Sequence, residues 1–383
     1  GAGRAYVGGK FKTVGGLLVN NIAMWDGAKW NALGAGLEGD GGLDDGSVSA
    51  LAIVGNDLYV GGSFTKAGGA SARHLAKYNL ASKQWSQVGG GVDGPVYALT
   101  FSNGLLYVGG NFATVGTVDA KDIATWNGAA WQALGNTVQI YQVFDSCSEQ
   151  NTHVYSISVS GDLVYVGGSF RLVYKGTGSV CAISSYLLAN HLLVFDRSQN
   201  QWFTLGSGVP GVSNGSQYFA HPVSALHALG ADLYVGGHFG NAGNVTAAGI
   251  ARFNLTTGWS AVSGGISGTR STGAFATGPE VRALLRDGLY LYVAGDFTAT
   301  GGGPAESIAR YDLGSGTWTT LGSGLAYENS GVTVQALARG PSGLYVGGKF
   351  TLAGSKGASG LSHWNLGPTP AQNKRIYLPA IAR

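Results

Sequence analysis

Short apolar runs rich in Val, Ile, Tyr, Phe and Trp recur along the whole chain, each bounded by Gly, Asn, Asp or Ser. That pattern predicts short β-strands joined by tight turns. No stretch sustains an apolar period near 3.6 residues, so almost no helix is expected. Four strand signals follow one another in a fixed order. The first is Val-x-Ala-Leu, as in Val48-Ser49-Ala50-Leu51, Val96-Tyr97-Ala98-Leu99, Val223-Ser224-Ala225-Leu226, Val281-Arg282-Ala283-Leu284 and Val334-Gln335-Ala336-Leu337. The second is a Tyr-Val-Gly-Gly run followed, after one residue, by phenylalanine. The third is Ile-Ala-x-aromatic-Asn/Asp, seen at Ile22 to Asp26, Ile123 to Asn127, Ile250 to Asn254 and Ile308 to Asp312. The fourth opens on Trp30, Trp85, Trp131, Trp202, Trp259 or Trp318 and ends in glycines.

The second signal occurs seven times, closing on Phe11, Phe64, Phe112, Phe170, Phe239, Phe297 and Phe350; one copy has Ala294 in place of its first glycine. Intervals of 48 to 69 residues suit propellers and exceed those of leucine-rich or ankyrin solenoids. Four strands per unit and seven units predict an all-β fold, a seven-bladed β-propeller with four-stranded antiparallel blades. Alanines of the first strand belong nearest the axis, where blades crowd. Paired glycines mark a close backbone approach. Phe and Trp are wedges suited to the space between blade faces.

The end blades are incomplete in the chain. Blade one lacks a first strand, because Gly1 begins just ahead of Tyr6, and blade seven lacks its Trp strand, because Leu366 runs into Gly-Pro-Thr-Pro. The organisation is therefore a propeller over 1–366, a Pro/Thr linker over 367–374, and a closing or donor strand over 375–383. In that last segment Ile376, Tyr377, Leu378 and Ile381 are the strand-forming residues, and Pro379 confines it to an edge or a bulge. It completes an end blade within its own chain by default, or inserts into a neighbouring molecule. Gly1 lies within a blade and is not Met, which predicts a processed or cut chain.

Gly-Gly closing the second strand, an aromatic before Asn/Asp in the third and Trp opening the fourth resemble kelch-type blades. The Leu-Tyr-Val-Gly-Gly-x-Phe form, as in Leu58 to Phe64, is closer to secreted bacterial propellers, a pattern shared with some fungal cell-cortex polarity proteins. The resemblance covers nearly the whole chain and implies an extracellular or cell-surface scaffold, structural or adhesive, or a ligand-binding propeller. It departs from the copper-radical oxidases that also use kelch blades, since neither cysteine neighbours a Tyr/His cluster.

Composition agrees with that setting. Charged residues make up only 11% of the chain and glycine 67 of 383 positions, without a triplet period. A net charge of +3 is too small and dispersed for nucleic acid, and no apolar run is long enough for a membrane span. No carboxylate pair, nucleophile motif or phosphate loop stands out, so an enzyme is not expected, nor a cofactor or metal. Glu38, Asp40, Asp44 and Asp45 crowd one glycine-rich loop where oxygen ligands would suit calcium. Their spacing matches no calcium repeat, and they read as a solvated turn. The seven histidines read as structural, although His227 and His238 fall on consecutive strands of blade five. The residue between Gly-Gly and Phe varies as Lys10, Ser63, Asn111, Ser169, His238, Asp296 and Lys349, a polar ring that suits either a shallow site or strand ends facing water.

Loop lengths carry the functional hint. The long insertions, at 34–47, 136–153, 171–190, 209–222 and 266–280, all follow second or fourth strands. In an up-and-down blade both loop classes emerge on one face, which marks that face for binding. Tyr141, Phe144, Tyr174, Tyr186, Tyr218 and Phe219 lie in these insertions and are candidate interaction residues. A protein partner or self-association is favoured over a glycan, because Asn, Asp and Gln companions are sparse beside them.

Cys147 and Cys181 flank blade four in two of these insertions and are expected to form a disulfide, as in oxidising compartments. Closing a loop of about 35 residues adds on the order of 3–4 kcal/mol in the chain-entropy view. Mass spectrometry of a non-reduced digest should recover the two peptides linked; both thiols free to alkylate would refute the bond.

Overall fold

A computed structural model describes residues 4–42, 44–135, 138–143, 149–150, 152–175, 187–210, 222–269, 278–327, 332–340, 343–366 and 376–382. Among these there is no helix, and hence none long and apolar enough to cross a membrane. Blade two sets the pattern. From the axis outward its strands are Ser47–Val54, Asp57–Ser63, Leu75–Asn79 and Trp85–Gln87, all antiparallel. Blades three to six repeat it from innermost strands Val96–Ser102, His153–Ser160, Ala225–Leu229 and Glu280–Asp287. Blade seven has three described strands, Thr333–Gly340, Gly343–Lys349 and Leu361–Asn365. Blade one consists of Ala5–Lys10, Ile22–Trp25 and Trp30–Ala32, with the tail strand Ile376–Ala382 innermost. Each innermost strand packs on the next. The tail strand lies between those of blades seven and two, and so closes a ring of seven.

The tail departs from the antiparallel expectation. It runs parallel to Ala5–Lys10, with Ile376 opposite Ala5, Tyr377 opposite Tyr6, Leu378 opposite Val7 and Ile381 opposite Gly9. Direction follows from topology: the third strand of blade seven ends on the face where second strands begin. A strand that starts from that face must run as second strands do. The register slips between Val7 and Gly9, opposite Pro379 and Ala380, where a residue without an N–H is tolerated.

The paired glycines have two separate causes. A Cβ on the first would overlap a valine of the next blade: Val48 for Gly8, Val96 for Gly61, Val154 for Gly109, Val223 for Gly167 and Val281 for Gly236. A Cβ on the second would overlap a carbonyl oxygen within its own blade, that of Ser47 for Gly62, Pro95 for Gly110 and Glu280 for Gly295. Only the second is a backbone approach. Ala294 stands where blade six would have its first glycine, and is fully buried in one apolar cluster with Val334 of blade seven.

Farther from the axis the wedge is aromatic. Phe64, Phe112, Phe170, Phe239, Phe297 and Phe350 are all buried. The third-strand aromatic packs at a tilt on the fourth-strand Trp across the pair, as in Tyr78–Trp85 and Trp126–Trp131, with ring centroids 5.0 Å apart. In four seams the same Trp donates its Nε1–H backwards to a carbonyl of the preceding blade: Trp85 to Leu33 at 2.8 Å, Trp131 to Gly89 at 2.9 Å, Trp259 to Leu205 at 3.0 Å and Trp318 to Ser263 at 2.8 Å. Each such bond is worth about 1 kcal/mol net. The Asn/Asp that ends the third strand caps the turn into the fourth, as when Asn79 Oδ1 accepts from the N–H groups of Ala81 and Ser82.

The long-loop face carries a second tier of small sheets. The linker into a blade pairs with the hairpin that follows that blade's second strand: Leu37–Glu38 with Lys66–Ala67, Ile266–Ser267 with Ala299–Thr300, and Leu325–Ala326 with Leu352–Ala353. At blade four this tier grows to four strands, because Val138–Val143 pairs with Leu172–Lys175.

The inter-blade glycines make a direct prediction. Gly61→Ala should cost about 1–3 kcal/mol through overlap with Val96. In a urea double-mutant cycle, adding Val96→Ala should cost less than the sum of the singles. Simple additivity would mean the two positions do not meet.

Candidate functional site at the ring axis

The innermost strands share one irregularity that brings variable side chains to the axis. Pairing with the second strand slips between Val48 and Ala50, Val96 and Ala98, Val154 and Ser156, Val281 and Ala283, and Val334 and Ala336. The residue inside each slip has no cross-strand partner, as in a β-bulge, which re-aims a side chain. These are Ser49, Tyr97, Tyr155, Arg282 and Gln335, with Ser224 equivalent in blade five. All six line one cavity of about 410 Å³ on the axis, open toward the face where the linkers arrive. Its deeper wall is small and apolar, built from Ala50, Ala98, Ala225, Ala283 and Ala336.

Two groups give the cavity its chemistry. Tyr97 and Tyr155 lie with ring centroids 5.6 Å apart, and His153 stacks on Tyr155 at 5.4 Å with a 9° interplanar angle. Glu280, only 3% exposed, receives Arg282 Nη2 at 2.8 Å and the Ser224 hydroxyl at 2.8 Å. Burial pushes the Glu280 carboxyl up, and Arg282 opposes that shift. Burial also pushes both phenols up, so they stay neutral. Nothing in the wording of the repeat identified this collar: its residues are the variable position of Val-x-Ala-Leu, and the bulge that turns them inward is invisible to a period-two reading.

Three members of the polar ring between Gly-Gly and Phe are clasps. Lys10 Nζ reaches Asp45 at 2.8 Å, Asn111 Nδ2 donates to the Thr152 carbonyl at 2.6 Å, and His238 Nδ1 donates to the Pro279 carbonyl at 3.1 Å. Each grips the linker into the following blade. Asp45 also accepts from the Ser47 N–H at 2.9 Å, Asp40 accepts from Gly42 at 3.1 Å, and Asp44 lies 3.8 Å from His74. These carboxylates therefore serve different neighbours. His227 and His238 are not brought together: Tyr234 is the register partner of His227, and His238 faces the Pro279 linker.

Of the aromatic insertion residues, Tyr141 lies opposite Leu172 in the four-stranded tier, and Tyr174 lies opposite Gln139. Both insertions beside blade four thus join one sheet. Phe144, Tyr186, Tyr218, Phe219, Cys147 and Cys181 lie outside the described residues.

Buried polar groups elsewhere are architectural. Asn21, His74, Asp122 and His191 hold equivalent places before the third strand, all with left-handed backbone, φ between 59° and 71°. Asn21 Oδ1, Asp122 Oδ1 and His191 Nδ1 accept the N–H of Phe11, Phe112 and Phe170 at 3.0, 3.1 and 3.3 Å. Burial holds the His191 imidazole down to about 3. It pushes the Asp122 carboxyl up to about 7, against a bond from the Thr152 hydroxyl.

Comparison with known proteins places the fold in a class. The family model of the Rax2 C-terminal beta propeller domain matches residues 40–178, which supports a β-propeller. Among solved structures, the computationally designed Ika8 protein matches over 90% of this chain and 90% of its own, at 18% identity and a TM-score of 0.43. No curated protein matches. A β-propeller that serves as a scaffold or binding domain is the class these features define.

Asp122 supplies a pH prediction. Its folded value of about 7 lies above the roughly 3.9 of an unfolded aspartate, so the native state binds the extra proton in between. Its contribution is full below about pH 4 and is lost as pH rises to about 7. Asp122→Asn should gain stability relative to the parent across that window, measured by urea melts at several pH values. A difference that stays flat with pH would refute the assignment.

Proposed function

We propose that this protein is a non-enzymatic, extracellular or cell-surface propeller that acts as a structural or adhesive scaffold and associates with its own copies through the end blades. The observation that carries this reading is the outer edge of blade seven, which pairs with no further strand among the described residues. In blades one to six the third strand pairs outward with a Trp-bearing strand, whereas Leu361–Asn365 is the outermost described strand of blade seven. An open strand edge is a template for a strand from another chain.

Among the described residues, two groups beside it have no partner of the kind most of their equivalents have. Trp364 holds the aromatic place that elsewhere packs on a fourth-strand Trp, and Trp30 has no described carbonyl of blade seven to receive its Nε1–H. A cavity of about 560 Å³ lies in the same seam, lined by Phe11, Trp30, Tyr327 and Phe350 among others. The tail supports the reading too. It is held on blade one by strand pairing at the end of a linker, and the same pairing can be made with a neighbour. A head-to-tail exchange of that kind builds an open filament.

A second reading, a ligand-binding propeller working through its long-loop face, has its own support in the enlarged tier that joins the insertions carrying Tyr141 and Tyr174. A Cys147–Cys181 bond would staple those same insertions. Low charge and the cysteine pair support an extracellular setting for either reading.

Light scattering over a concentration series tests the first reading. Assemblies should grow with concentration, shrink with Ser362→Lys on the blade-seven edge at unchanged melting temperature, and be lost with deletion of 367–383. A monomer at every concentration would overturn self-association and leave the face-binding reading.

A further inference from the structure

The axial cavity has two walls of different chemistry. Blades three and four present the Tyr97 and Tyr155 rings, with His153 stacked behind Tyr155. Blades five to seven present Ser224, the Glu280–Arg282 pair and Gln335. The alanines beneath are small enough to leave the space between these walls open, and about 410 Å³ falls in the range of small-molecule sites. That volume holds a ring or two of a small ligand and not a folded domain.

Charge narrows the class of occupant. Glu280 and Arg282 cancel each other at 2.8 Å, and the tyrosines are neutral, so the cavity offers no net charge to an ionic ligand. It offers instead aromatic faces on one side and planar polar groups on the other. A pyranose matches both. Its C–H face lies flat on an aromatic ring, and its rim hydroxyls donate to a carboxylate or amide oxygen and accept from a guanidinium.

One donor is already in place for such a rim. The Arg282 side chain lines the cavity and is 29% exposed, so its guanidinium keeps donors for a ligand beyond the bond to Glu280. Gln335, in the next blade, brings both an amide donor and an acceptor to the same wall.

We propose that the axial cavity binds the neutral end of a saccharide chain, with Tyr97 and Tyr155 as the stacking platform and Arg282, Glu280 and Gln335 as partners of its hydroxyls. This site is separate from the blade-seven edge and from the insertion aromatics. A failure here therefore leaves the scaffold reading standing, and the converse also holds.

A printed array of neutral and of charged oligosaccharides, probed with the full chain, should give binding to neutral glycans. Titration calorimetry with the best binder should then show a loss of about tenfold or more, roughly 1.4 kcal/mol, for Tyr97→Ala and for Arg282→Gln. Tyr97→Phe keeps the platform and should retain affinity within a few-fold. Gln335→Trp fills the cavity from the opposite wall without deleting a ring or the ion pair, and should abolish binding at an unchanged melting temperature. The proposal is overturned if no neutral glycan binds, if only charged glycans bind, or if binding survives Gln335→Trp in a folded protein.

Discussion

How closely one blade can lie on the next is the constraint that the rest of this ring obeys. Near the axis the gap is filled by a valine of one blade pressed onto a glycine of the last, as Val96 is on Gly61, and no Cβ fits between them. At mid-radius the filler is a buried phenylalanine, and farthest out it is a tryptophan packed at a tilt on the third-strand aromatic. Side-chain volume thus grows with distance from the axis, from Gly and Ala to Phe and Trp. Flat sheets become wedges, and wedges set around a common axis close. Interiors pack near crystal density, so a single methyl group in the narrow part is felt by two blades at once.

The second glycine of the pair links this constraint to the site. It makes room for a carbonyl of the adjacent innermost strand, as Gly62 does for Ser47, at the start of the bulge. The bulge leaves one residue per blade outside the ladder and at the axis. That residue stands outside the glycine–valine and aromatic contacts that form the wedge, so the wedge does not dictate its type. The same slot therefore holds Ser49, Tyr97, Tyr155, Ser224, Arg282 and Gln335 around one cavity. Architecture and binding chemistry sit on adjacent residues of one strand without competing.

The repeat was legible in the chain because each of its words has a packing reason: glycines for blade contact, alanines for the axis, Trp for the seam. What was not legible depended on register and direction. Alternation along Val-x-Ala-Leu does not reveal a bulge, so Tyr97 and Arg282 read as ordinary strand positions. Two-residue strands such as Leu37–Glu38 carry too few side chains to signal themselves, so the second tier beneath the long insertions was hidden. The tail's apolar content signals a strand but has no direction, and its parallel run follows from where the chain leaves blade seven. Lys10, Asn111 and His238 were visible as a polar ring, yet their work as clasps rests on linkers that differ from blade to blade.

The seam between blades seven and one is where the ring is least determined by its own repeat. Four seams carry a Trp indole bonded to the preceding blade, and this one has no described equivalent. The innermost strand of blade one is not hairpinned to its neighbour, as those of blades two to six are, but arrives from the far end of the chain. Opening that seam parts the tail strand from blade seven and divides the cluster of Val7, Trp30, Ala336 and Tyr345, whereas opening a seam such as that between blades two and three breaks a valine contact onto glycine. The outer edge of blade seven lies two strands out from the innermost strand on which the tail packs. In the proposed assembly, a tail given to a neighbour's blade one would make there the backbone hydrogen bonds that close its own ring here, and concentration would decide between the two.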